Sequence, residues 1–303
     1  MALQMVETVY RTKWTLDLLL ERFYTSRHYL EHEYGESTFD ECYEQVQKIN
    51  KKIARKSYKD INLDDLKEYI DITPEICKSC HYWYRWGIEY VQNDFDEIDK
   101  QISKSAELLD LIEPYFEKKN YTGCPNLSWN FFMSAFWGGL ACDMYEEVIT
   151  QAERLYKFFE NTQEIRKIKW VPFAEMNDPM SNFDINWSRH HLGLCLLLGK
   201  AYYLTEQYDL SAEAYRKAIN AHYDSELLNK GVKRIFYHMG VNRILEAATE
   251  LYCLEQTQEN RDQVLKLFSD CVKLPTDSTF EAVLETLLIN YMVYENVFGV
   301  RVL

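Results

Sequence analysis

Glycine and proline are scarce in this chain, 10 and 6 of 303 residues. A collagen-like or low-complexity chain needs far more of both, so those classes are excluded. Folds of many strands need turn residues at roughly every 8–12 positions, so the shortage argues against them too. Basic residues are also in deficit, with 34 Lys+Arg against 48 Asp+Glu and a net charge of −14. No third of the chain holds a basic block. Binding a phosphate backbone requires clustered Lys and Arg, so nucleic acids and anionic membrane surfaces are poor candidates for direct partners. Charge favours a basic protein as partner, although the same acidity also serves solubility. Long apolar runs are missing as well. The longest uncharged stretch, Asn120 to Cys142, contains Asn, Ser, Thr, Gly and Pro and does not read as a membrane span. Glu7, Arg11, Lys13 and Asp17 interrupt the N-terminal segment, which leaves no apolar core of a signal peptide. The expectation is a cytoplasmic protein, with its oligomeric state left open.

Signatures of catalysis are missing too. There is no H-E-x-x-H, no phosphate-binding G-x-x-x-x-G-K-[ST], no G-x-G-x-x-G and no G-x-S-x-G. No Glu stands three residues before any of the seven histidines, which removes the Glu-x-x-His pairs of di-iron bundles. Cys77-Lys78-Ser79-Cys80-His81 spells the spacing of a c-type haem attachment. That chemistry accompanies export, for which no signal is seen. A zinc site would need a second ligand pair, and no other C-x-x-C exists. His28 and His32 share a helix face but have no third ligand in view. His190 and His191 read as helix-start residues. We therefore expect no enzyme activity, no cofactor and no metal. Most of the eight cysteines lie in apolar runs such as Leu194-Cys195-Leu196, as expected of reduced thiols packed as small hydrophobes.

Aromatics, in contrast, make up 15% of the chain, and apolar residues recur at intervals of three and four almost throughout. The pattern predicts an all-α fold. Residues 4–33 form a first helix, and the capping box Thr38-Phe39-Asp40-Glu41 opens a second that runs to about Tyr58. Asn62-Leu63-Asp64-Asp65 opens a third, and Pro74 stands where a new helix starts. The rest reads as helix pairs: 75–92 with 95–113, the latter ending before Pro114; 126–142 with 145–160; 187–205 with 208–222; 232–255 with 261–273. A second capping box, Ser278-Thr279-Phe280-Glu281, opens a last helix to about Phe298. The expected organisation is an N-terminal set of helices, 1–73, packed on a helical-pair array, 74–303, in one continuous domain. Crowded aromatics at 82–90 and 129–137 read first as core. Any surplus on a second helix face would supply interface anchors.

One pair can be set against a known pattern. Leu198-Gly199, Tyr202, Tyr208, Ser211, Tyr215 and Ala218 resemble the tetratricopeptide repeat, a 34-residue helix pair with these residue types at these offsets. Gly199 and Ser211 allow the two helices to approach closely, with Tyr202 and Tyr215 filling the space beside them. Cys195 and Tyr223 depart from the family's preferred Trp and Pro. Residues 250–275 fit more loosely. The resemblance implies a right-handed solenoid, a degenerate array given the uneven spacing of its pairs.

Residues 161–190 break the rhythm with Pro172 and Pro179. A loop of this length is often functional. It holds Trp170, Phe173, Met176, Phe183 and Trp187 beside Glu175, Asp178 and Asp184. The plain alternative is an elaborated connection whose aromatics pack back on the core.

The run Ser134-Ala135-Phe136-Trp137-Gly138-Gly139-Leu140-Ala141-Cys142-Asp143, followed by an amphipathic helix, resembles immunity proteins of bacterial polymorphic-toxin systems. The resemblance covers about thirty residues. It implies a soluble, all-helical protein that blocks a cognate toxin, often a nuclease, by occluding its active site, and it carries no catalytic residues. An acidic helical surface suits a nuclease independently, because surfaces that bind polyanions are basic. The expected partner-binding residues are Asp143, Glu146 and Glu147 at the turn, with Trp170, Glu175, Asp178 and Asp184 in the long loop. The other expectation is an adaptor or chaperone that binds a peptide segment of a cellular partner.

Overall fold

A computed structural model describes residues 36–65, 95–118, 123–160, 183–220, 234–273, 289, 292–293 and 296–299. Among these, every regular element is helical and there is no strand. Eight α-helices are present: α1 (Glu36–Ile53), α2 (Phe95–Glu117), α3 (Trp129–Ala141), α4 (Tyr145–Glu160), α5 (Phe183–Leu204), α6 (Tyr208–Ile219), α7 (Arg234–Leu254) and α8 (Gln258–Cys271), with a 3-10 turn at Tyr58–Asp60. The all-α expectation therefore holds. The chain divides into two compact units, one formed by Met1–Gly87 with Lys233–Leu303 and the other by Ile88–Val232.

Several boundaries differ from the sequence reading, each for a local reason. Backbone is already helical at Glu36, so Thr38 lies inside α1 and not at its start. The helix ends at Ile53, and the 3-10 turn takes up Tyr58. Helix α2 does not stop before Pro114 but continues to Glu117. Proline there removes one hydrogen bond in the last turn only. The extension is held by Phe116, whose ring lies 3.8 Å from that of Phe158 on α4. Helix α5 starts at Phe183, four residues early, so His190 and His191 are interior to it. His190 is buried, with its ring 4.5 Å from that of Trp129. The predicted helices at 4–33 and 75–92 and the box at Ser278 lie outside the described residues. Gly299 has φ +67, a conformation that ends a helix at Phe298, where the sequence placed its end.

Asn62 opens its helix as expected. Its Oδ1 accepts from the backbone N–H of Asp64 (3.0 Å) and Asp65 (3.3 Å). The Asp65 carboxylate accepts from the Asn62 N–H in return (3.1 Å), a reciprocal capping box. Burial alone would raise the Asp65 carboxyl, but the Lys56 ammonium and the Asn62 N–H outweigh it and hold the group below its ordinary value. In the same unit α7 packs on α8, whose N-cap Thr257 accepts from Asn260 N (3.1 Å), and α8 packs on the 3-10 turn. The core here is Ile49, Ile53, Ile61, Leu245, Leu251, Val264, Phe268 and Met292.

In the second unit α3 is apolar on every side, as a helix enclosed by neighbours must be. It contacts α2, α4 and α5, and its Trp129, Phe132, Phe136 and Trp137 are all buried. These four aromatics are core, and Phe131 of the same cluster is half-buried. Two glycines let α3 approach its partners. A Cβ on Gly138 would meet Ile98 of α2 at 2.5 Å, and one on Gly139 would meet Val148 of α4 at 2.5 Å and Ile102 of α2 at 3.0 Å.

Candidate functional site

The helix pairs α3/α4 and α5/α6 are joined by turns of the same design. In the first, Asp143 takes φ +61, Met144 N–H donates to Gly139 O (2.9 Å) and Asp143 N–H to Leu140 O (3.3 Å). In the second, Glu206 takes φ +60, Gln207 N–H donates to Tyr202 O (2.8 Å) and Glu206 N–H to Tyr203 O (3.1 Å). Both are Schellman motifs with a carboxylate-bearing residue where glycine is usual. Asp143 accepts from Tyr145 OH at 2.5 Å.

The packing fixes helix directions. Ile98 and Ile102 lie level with Gly138 and Gly139, and Phe116 lies level with Phe158, so α2 and α4 run the same way. Arg154 of α4 ties the two together, with Nε and a terminal nitrogen on Glu113 of α2 (2.8 and 3.0 Å) and a terminal nitrogen on Asp110 (2.5 Å). Trp129 meets His190 and Trp137 meets Lys200, so α3 and α5 run together in the opposite sense. Helix α6 returns alongside α4. Three N-termini, those of α2, α4 and α6, therefore share one end of the unit. They carry Asp96 and Glu97, Glu146 and Glu147, and Asp209, with Asp143 and Glu206 in the adjoining turns. Each helix start contributes about half a positive charge. Three such ends, with Lys100 on α2 and Lys200 on α5 beside Trp137, offset only part of the charge of these seven carboxylates. All seven residues are exposed. Lys157, Arg216 and Lys217 lie toward the other end.

Three expected site residues, Asp143, Glu146 and Glu147, thus stand together on this acidic end. Asp184 is placed differently from the expectation. It lies in the first turn of α5, not in a loop, because the helix begins at Phe183. Trp170, Glu175 and Asp178 lie outside the described residues, as do Cys77 and Cys80.

A groove of about 260 Å³ runs between α4 and α6 over α5. Its floor is Cys195, Leu198 and Tyr202, and its walls are Glu153, Tyr156 and Lys157 on α4 and Leu210, Glu213, Ala214 and Lys217 on α6. Comparison with family models, curated proteins and solved structures returns no match. The chemistry of the groove must therefore be read from its own residues. Tyr202 OH donates to Glu153 Oε1 at 2.5 Å. Burial raises the Tyr202 phenol above its ordinary value, and the hydrogen bond and charge of Glu153 and then the charge of Glu213 raise it further. Lys217 Nζ bonds Glu213 at 2.9 Å and lies 5.1 Å from the Tyr156 ring centroid. The Lys217 ammonium holds the Glu213 carboxyl below its usual range.

No nucleophile is poised here. Burial pushes the Cys195 thiol up to about 12, against smaller opposing pulls from Lys217 and Tyr156 OH, so it stays protonated. His191 Nε2 lies 3.2 Å from Tyr156 OH. Burial, then the charge of Lys217, pushes His191 down to about 4, so the imidazole is neutral near pH 7. No group of three metal-ligating side chains occurs among the described residues. No helix among them is long and apolar enough to cross a membrane.

Sequence reasoning named Cys195, Leu198 and Tyr202 of the floor, as parts of a helix pair, and missed the groove walls. Their signal was a repeated Glu-x-x-x-Lys, at 153–157 and again at 213–217. In one helix that spacing reads as an ordinary surface pair. Only the packing of α4 and α6 on α5 brings two such pairs to one groove.

Proposed function

We propose that the chain is a non-catalytic protein-binding module whose acidic end docks a basic protein, and that it acts as an immunity protein neutralising a cognate toxin of the nuclease class. The observation that carries this reading is the convergence of three helix starts. Seven exposed carboxylates on one end of a close-packed unit make a field that steers a basic surface and discriminates against acidic ones. Exposed Tyr203, Tyr208 and Leu210 flank Glu206 and Asp209, which supplies apolar anchors beside the charge. The helix pairs are read as tetratricopeptide-like units: in α5/α6 the small-residue seam and its tyrosines match that repeat.

The test is affinity purification of the tagged chain from its native cell, washed at low and at high salt, with identification of what co-purifies. One stoichiometric basic partner, released by salt and toxic when expressed alone, is the expected outcome. Recovery of no basic protein would end the reading. The groove favours a second reading, an adaptor that binds a peptide segment. Several unrelated partners sharing one short motif would establish that reading and remove the first.

A further inference from the structure

Five large hydrophobic side chains are exposed among the described residues, and two of them, Tyr203 and Tyr208, touch each other. The other three are scattered leucines: Leu63 lies in the first unit, Leu111 on α2, and Leu210 lines the groove. Tyr203 stands in the last turn of α5 and Tyr208 opens α6. Their ring centroids are 5.7 Å apart, with the planes at 63°. An edge-to-face pair at that angle forms an open corner, so half-exposed ring face is left for a planar partner. Glu206 and Asp209 stand on either side of Tyr208 in the chain, and neither makes an ion pair among the described residues. Nor does a cation among them lie over Tyr208. The lysines nearest in sequence are engaged elsewhere, Lys200 buried over Trp137 and Lys217 on Glu213 and Tyr156. The α3/α4 turn is different. Its Tyr145 is half-buried with the hydroxyl given to Asp143, so that turn presents charge without an exposed ring.

We propose that the Tyr203–Tyr208 pair is the anchor of the acidic end, where an arginine of the basic partner lays its guanidinium on a tyrosine face beside Glu206 and Asp209. This rests on the reading of a basic protein partner and divides the acidic end by task. Carboxylates of α2 and of the α3/α4 turn act at a distance and set the rate of encounter. The tyrosine pair acts on contact and sets how long the partner stays. Both parts of the anchor are complementary to a cation, the rings through the negative potential of their faces and the two carboxylates through charge that is not ion-paired. Arginine is preferred because its guanidinium is planar and weakly hydrated. It stacks on a ring while its edge donates to a carboxylate, where an ammonium is a strongly hydrated point charge. The unit already contains such a pairing, since Lys217 lies 5.1 Å from the Tyr156 ring centroid while bonded to Glu213.

The probe is acetylated hexa-arginine amide, titrated into the full chain with ring-labelled tyrosine and followed by NMR. Hexa-lysine amide, of equal charge, serves as control. Saturable shifts of the Tyr203 and Tyr208 ring signals are expected, larger with hexa-arginine. Tyr208→Ser should weaken hexa-arginine about threefold to fivefold and leave hexa-lysine nearly unchanged. Tyr208→Phe, which keeps the ring face, should bind as the wild type does. Glu206→Gln with Asp209→Asn should weaken both peptides. Indifference of hexa-arginine to Tyr208→Ser, an equal loss for hexa-lysine, failure of Tyr208→Phe to retain binding, or ring signals that do not move overturns the proposal. The two readings fail separately. A purified basic partner that leaves the Tyr208→Ser chain at the wild-type rate sinks the anchor alone. Hexa-arginine bound at the tyrosine pair of a chain that has no basic partner in its cell sinks the proposed function alone.

Discussion

Ser211 Oγ donates to the carbonyl oxygen of Gly199 at 2.8 Å, across the seam between α5 and α6. Both helices must be almost in backbone contact for a side chain so short to bridge them. Gly199 makes this possible: a Cβ there would stand 2.4 Å from Cε1 of Tyr215, itself only 1% exposed.

Gly199→Ala should therefore destabilise the chain by about 2–3 kcal/mol, because a buried ring has nowhere to move. Gly138→Ala is the contrast. Its Cβ would meet only the terminal Cδ1 of Ile98 closely, which a rotamer change relieves. The gain in helix propensity, about 1 kcal/mol, then offsets much of the clash. Chemical denaturation of both variants should rank Gly199→Ala well below Gly138→Ala. An equal loss would refute the account of the seam.

Glu206 holds φ +60 with a full side chain. Left-handed backbone costs an L-residue with a Cβ about 1–2 kcal/mol, and glycine avoids that cost while losing more entropy on folding. Glu206→Gly should raise stability by up to about 1 kcal/mol, read as a higher unfolding midpoint. Glu206→Val, β-branched at the same position, should lower it.

His191 is pushed down to about 4 in the folded chain, from 6.5. Between those values the unfolded chain binds a proton that the folded chain refuses. Its contribution is full above pH 6.5, falls as the pH drops toward 4, and is constant below that. The loss is on the order of 3 kcal/mol. His191→Gln should flatten this part of the stability profile between pH 6.5 and 4. A variant that keeps the wild-type slope there would show that other groups set it.

Neutralising the acidic end by Asp143→Asn, Glu146→Gln, Glu147→Gln and Asp209→Asn together should slow association with a basic partner and flatten its salt dependence. Asparagine tolerates the left-handed turn at 143, so the backbone should persist. Loss of carboxylates at helix starts should cost stability about 1–2 kcal/mol in sum. Association rates measured across ionic strengths decide the matter: an unchanged rate and slope would remove these residues from the interface.

Much of the second unit was readable in the chain itself. Period-3.6 patterning located α3 through α6, and the offsets Gly199, Ser211 and Tyr215 marked which faces meet, because close helix approach admits few residue types. Asp143, Glu146 and Glu147 were readable as a group, since turn and first-turn acids are local features. The helix through Pro114 was not, because a contact between Phe116 and Phe158, forty-two residues apart, overrides a local stop signal. The early start of α5, with His190 placed against Trp129, was missed for the same reason.

The amino-acid order alone determines helix type, turn placement and overall acidity, since these follow from neighbours within a turn or two and from composition. The directions of α2, α4 and α6, and with them the gathering of seven carboxylates at one end, were decided only by packing. So was the groove, which Glu153 and Glu213, sixty residues apart, line together. Side chains on separate helices become neighbours only when buried apolar surface brings those helices together.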